Sequence, residues 1–113
     1  MIQDHFRRTY AAFNARDIDT VLSVLHPDVD WENGMEGGRV HGHDAVRAYW
    51  ERQFTLIDGR VEPEAFEELP DGRLSVTVHQ RVHDLDGNLL SDGQVRHVYE
   101  LRDGLIVRME IDP

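Results

Sequence analysis

The apolar residues change their period near residue 60, and this change limits the fold more than any other feature of the chain. Before it they recur at helical spacing. Ile2, Phe6, Tyr10 and Phe13 follow one another at steps of four, four and three, which places them on one face of a helix. Ile18, Val21, Leu22 and Leu25 repeat the pattern, with Asp17 as a cap and His26-Pro27 as the stop, because the residue before a proline avoids the helical region. A short extended piece from Val29 to Asn33 leads into a loop marked by Gly34, Gly37 and Gly38. A third helix is predicted from about Asp44 to Phe54, with Val46, Tyr49, Trp50, Gln53 and Phe54 on its apolar face.

After the change the residues alternate, as they do in half-buried strands. Arg60 to Leu69 reads as a strand, placed at an edge by Pro63. Leu74, Val76, Val78, Gln80 and Val82 share one face of the next. Val95, His97, Tyr99 and Leu101 share one face of a third, with Asp92-Gly93 as a candidate bulge near its start. Asp103-Gly104 signals a two-residue hairpin, and Leu105, Val107, Met109 and Ile111 line up on the last strand. Three N-terminal helices followed by an antiparallel meander make an α+β chain. At 113 residues this is the size of a single domain, spanning 1–113. A strongly curved sheet wrapped around the helices would enclose a pocket.

Composition removes several chemistries. The chain has no cysteine, so it has no thiolate nucleophile and no cysteine zinc site. All 12 basic side chains are arginine, which excludes a Schiff-base lysine and a phosphate loop of the Walker type. A net charge of −10, with arginines spread singly apart from Arg7-Arg8, argues against nucleic acid. No apolar run is long enough to span a membrane, and the start carries no signal-peptide pattern, so a cytoplasmic protein is expected. His79 and His83 stand about 13 Å apart along a strand, too far for one metal ion. His41-x-His43 lacks a nearby third ligand. Neither a metal nor a cofactor is expected.

Strand phase selects the inward side chains. Trp31 and Asn33 share the parity of Val29 and should face the core, while Asp30 and Glu32 face out. Gln80 faces inward with Val76 and Val78, His97 and Tyr99 with Val95, and Met109 joins them from the last strand. Tyr10, Trp50 and Phe54 project from the helices. The resulting site is apolar and aromatic, with catalytic candidates His97, Asn33 and Tyr99. Its binding candidates are Tyr10, Trp31, Trp50, Phe54, Gln80 and Met109. His97 titrates near neutrality and suits general acid/base work, with Tyr99, Gln80 and Asn33 orienting a carbonyl oxygen. A core histidine bonded to a neighbouring polar group is the alternative. Glu36, on the glycine-rich loop, is a further candidate for the pocket mouth.

Several strings then match a known family. They are Tyr10-Ala11-Ala12-Phe13-Asn14-Ala15-Arg16-Asp17-Ile18-Asp19, His26-Pro27-Asp28-Val29, and His41-Gly42 leading into Val46-Arg47-Ala48-Tyr49-Trp50. His97-Val98-Tyr99 and Arg102-Asp103-Gly104-Leu105-Ile106 follow. In their order and spacing, the sequence resembles the SnoaL-like and ketosteroid-isomerase-like branch of the NTF2-like superfamily. That resemblance implies a cone of three helices on a curved, mostly antiparallel sheet around an apolar pocket, often dimeric through the outer sheet face. Such folds host isomerases, polyketide cyclases and dehydratases, as well as domains without activity. Aligned with the isomerases, Asn33 stands where the aspartate base is found, Thr9 where the oxyanion-hole tyrosine is found, and His97 near the late aspartate. The expected function is a cofactor-free isomerase-, cyclase- or dehydratase-type enzyme acting on a small apolar carbonyl compound. The alternative is a non-catalytic ligand-binding or dimerisation module.

Overall fold

The computed structural model describes residues 2–112. Its elements, in order, are α1 (Ile2–Asn14), α2 (Ile18–Leu22), β1 (Leu25–Glu32), β2 (Arg39–His41), α3 (His43–Leu56), β3 (Asp58–Glu68), β4 (Leu74–His83), β5 (Leu89–Arg102) and β6 (Leu105–Asp112). The six strands form one open sheet in the order β2-β1-β6-β5-β4-β3. Neighbours are antiparallel except β1 and β6, which run parallel.

The helix α3 touches β1 and β2 at one end of the sheet and β3 at the other. Four strand spacings separate β1 from β3. On a flat sheet that is about 19 Å, yet Trp31 of β1 and Val61 of β3 line one cavity. The sheet therefore curls around α3, and this curl creates the hollow. Asn14 fastens α1 to the edge strand: its amide accepts from Val61 N–H at 3.0 Å and donates to Val61 C=O at 2.8 Å. The edge position of β3 agrees with Pro63, where the register to β4 shifts.

Three expectations about local structure change. First, the second helix stops at Leu22, capped at its start by Asp17, and Leu25 opens β1 instead of closing the helix. Leu25 pairs with Ile106 and is buried, so burial alone satisfies the apolar pattern in either conformation. Second, Asp92 and Gly93 pair in regular register with Arg81 and Gln80; the irregularity lies next to them, between Val82 and His83. Third, β6 carries a bulge. Glu100 faces Arg108 and Leu101 faces Ile106, leaving Val107 without a partner on β5. Ile106 rather than Val107 therefore joins the core cluster.

The core lies between the helices and the concave face. Val29, Val46, Val76 and Val78 are completely buried, each burial contributing about 1.5–3 kcal/mol. Trp50 stands edge-on to both Trp31 and Phe13.

Candidate functional site

The core does not fill the hollow. A cavity of about 380 Å³ remains between α1, α3 and strands β1 and β3–β6. Its inner end is built by alternation on β5, which brings His97 and Tyr99 to the same face, and by one turn of α1, which sets Tyr10 against them. Tyr10 Oη lies 2.8 Å from His97 Nδ1 and 2.6 Å from Tyr99 Oη. The Tyr10 and His97 rings stack with an interplanar angle of 13°. No buried polar side-chain atom among the described residues lacks a partner. His97 Nε2, which has none among the described residues, is therefore open to the cavity.

Desolvation dominates the electrostatics at this end. Burial lowers the His97 pKa from 6.5 to about 4, so the ring is neutral at physiological pH. Burial also pushes both phenols upward, and for Tyr10 the neighbouring Tyr99 adds to the effect. The three groups form an uncharged polar cluster in an apolar wall that includes Trp31, Trp50 and Met109.

Nearer the rim, Gln80 and Gln53 line the cavity, and neither side-chain amide has a hydrogen-bond partner among the described residues. Glu32, at the end of β1, is the one charged residue among the described lining residues. Its Oε1 accepts from Ile111 N–H at 3.1 Å and lies 3.7 Å from Arg39.

The structure thus brings Tyr10, Trp31, Trp50, Gln80, His97, Tyr99 and Met109 to one cavity. Two sequence candidates fall elsewhere. Asn33 lies beyond the end of β1, and its Oδ1 accepts from the N–H groups of Met35 and Glu36, closing the turn instead of facing the hollow. Phe54 packs against Phe13 and beneath the Arg16 guanidinium, behind the cavity wall. Glu36 pairs with Arg52 at 3.0 Å and does not line the cavity. Glu32 is also among the lining residues, but it pairs in register with Arg39, and its carboxylate lies beside Arg39, the arginine that holds outward-facing Asp30. Asp30 does face out, bonded to Arg39 and Arg108.

Three other histidines are held elsewhere, among them His26, whose Nδ1 accepts from Asp28 N–H. His79 is bonded to Asp92 on the outer face, and His43 Nε2 lies 2.8 Å from Leu25 C=O. Among the described residues no group of three His, Asp or Glu side chains is arranged to hold a metal ion. No helix among them is long and apolar enough to cross a membrane.

Three helices packed on a six-stranded mixed sheet are the architecture this chain shares with NTF2-like proteins. The sequence profile of the SnoaL-like domain matches residues 6–109, and the chain belongs to that family. The fold superimposes on an NTF2-like protein of unknown function from Burkholderia pseudomallei with a TM-score of 0.83 and 34% identity, covering 96% of this chain and 87% of that one. The crystal structure of TerC co-crystallized with polyporic acid gives a TM-score of 0.82 and 32% identity over 97% of this chain and 88% of that one. A Mycobacterium tuberculosis protein in complex with estradiol-17beta-hemisuccinate shares the fold at a TM-score of 0.78 and 18% identity, over 91% of this chain and 85% of that one. No curated protein matches the chain.

Proposed function

We propose that the protein binds a small, largely apolar carbonyl compound in the cavity and carries out acid/base chemistry on it, of the isomerase, cyclase or dehydratase type. The observation that carries this reading is the open Nε2 of His97 at the inner end of an apolar cavity of about 380 Å³, a size suited to a small-molecule ligand. A carbonyl oxygen placed there meets a neutral polar cluster where charge developing on oxygen can be stabilised. Glu32 is the carboxylate on the same wall and supplies the base. Gln53 and Gln80 offer amides to the far end of the ligand. The relatives support a ligand of this kind, since TerC was crystallised with polyporic acid.

The test is a panel of ketones, lactones, steroids and polyporic acid, read by thermal stabilisation and by product analysis. Members that bind should raise Tm, and at least one should be converted. His97→Ala and Glu32→Gln should each lower turnover by about 10²-fold or more. If no member raises Tm, the reading fails.

A second reading, binding without turnover, is favoured by one observation. Glu32 Oε1 already accepts from Ile111 N–H and lies 3.7 Å from Arg39, so the carboxylate is engaged by the protein rather than free for a ligand. Stabilisation by several panel members with no product from any would establish it.

Dimerisation through the outer sheet face belongs to the same proposal. That face sets Thr77, His79, Arg81 and Arg96, with His79 and Arg96 paired to Asp92 and Asp112, around Val98, which is already buried, and this mixed polar surface suits a second copy. A sedimentation profile showing only a 13.1 kDa species at micromolar concentration would contradict it.

A further inference from the structure

We infer that the tyrosine pair fixes His97 as its Nε2–H tautomer, so that the cavity presents a neutral N–H donor and selects ligands carrying a hydrogen-bond acceptor, with Tyr10 as the positioning residue. The inference deepens the carbonyl reading above and rests on it for the ligand, but not for the tautomer.

Three polar atoms meet at the inner end, with separations of 2.6 Å (Tyr10 to Tyr99), 2.8 Å (Tyr10 to Nδ1) and 3.5 Å (Tyr99 to Nδ1). Two of them carry hydroxyl hydrogens, and no other acceptor among the described residues bonds to either phenol. If Nδ1 carried the ring proton, it would donate to Tyr10, and one of the two hydroxyl hydrogens would then have no acceptor. Tyr10 and Tyr99 are 5% and 3% exposed, and a buried unpaired donor costs about 1–3 kcal/mol. With Nδ1 as acceptor, both hydroxyl hydrogens are used. The shorter contacts give the order: Tyr99 donates to Tyr10, and Tyr10 donates to Nδ1. The ring proton then resides on Nε2, the nitrogen that opens to the cavity.

Two consequences follow for recognition. A chain of aligned donors polarises the ring, making Nε2–H a stronger donor than an isolated imidazole. The group acts as an electrophile toward oxygen and does not remove protons, which leaves that task to a carboxylate such as Glu32. The ionisable groups around His97 are Tyr10 from α1 and Tyr99 from its own strand, with Glu32 on the cavity wall from β1. Burial keeps the ring neutral beside them.

The test uses the free protein labelled with 15N-histidine and long-range 1H–15N correlation near neutral pH. The wild type should show His97 as a single Nε2–H tautomer; an Nδ1–H tautomer or an imidazolium overturns the inference. Tyr10→Phe should lose the single-tautomer signature, whereas Tyr99→Phe, which leaves the Tyr10 donor in place, should keep it. Retention of a pure Nε2–H form in Tyr10→Phe would remove Tyr10 from the role. Should Tyr10→Phe not fold, the wild-type and Tyr99→Phe spectra still decide the tautomer. Acetophenone should shift the Nε2 proton downfield and ethylbenzene should not. The Nε2–H tautomer without a shift from the ketone overturns acceptor recognition, and the carbonyl reading with it, while the tautomer assignment stands.

Discussion

Tyr10 and His97 stand 87 residues apart in the chain and 2.8 Å apart in space. The contact joins the first helix to the fifth strand across the inner end of the cavity, so the polarity of the site depends on how α1 docks. Any change that tilts α1 alters the environment of His97 before it reaches the ligand.

Tyr10→Phe should therefore cost stability. It leaves Nδ1 without a donor and the Tyr99 hydroxyl without its short partner, both in a buried setting. The expected loss is about 1–3 kcal/mol, measured as a lower urea midpoint with unchanged slope. An unchanged midpoint would mean that water replaces the hydroxyl without penalty.

The buried imidazole also sets a pH dependence. Its pKa is 6.5 when free and about 4 in the folded protein, so between these values the unfolded chain binds the additional proton. Stability from this group is complete above pH 6.5 and declines as the pH falls toward 4. The full effect is roughly 3 kcal/mol. Denaturation of wild type and of His97→Phe across that range should show a shallower decline in the variant; parallel curves would contradict the assignment.

Asn33→Ala should act on the loop rather than on the ligand. The amide oxygen accepts from the Met35 and Glu36 N–H groups, at 3.1 and 2.8 Å. Its removal should cost about 1 kcal/mol and change ligand affinity less than His97→Ala does. Calorimetry with a bound panel member would rank the two variants, and the reverse order would return Asn33 to the site.

The hairpin between β5 and β6 gives a conformational test. Asp103 has φ +56° and Gly104 φ +80°, as a two-residue turn of type I′ requires. Asp103→Val should destabilise by about 1–2 kcal/mol, because a branched side chain resists the left-handed region. Asp103→Asn should be close to neutral in the same thermal melts.

Strand phase made much of the cavity wall legible in the sequence. Gln80, His97, Tyr99 and Met109 all lie on regular ladder positions, where side chains alternate without interruption. Phase failed where the ladder ends or slips. Extending the count past Glu32, the last residue of the strand, turns Asn33 inward, whereas the structure closes it into a turn. Val107 and Ile106 exchanged places at a bulge that no glycine or proline marks. Leu25 satisfied a helical period and a buried strand position equally well. The Tyr10–His97 contact had no local signature, since it depends on how a helix docks on a distant strand.

The parallel pairing of β1 with β6 has a consequence for how the protein is made. β1 leaves the ribosome well before β6, its sheet neighbour on one side and the sixth of the described strands. Until that strand arrives, β1 and β5 both present bare backbone edges, and the cavity lacks Met109 and Ile111 from its wall. Nascent chains halted before Leu105 should therefore be the species most in need of chaperone protection, and ligand binding should begin only once the final hairpin has closed.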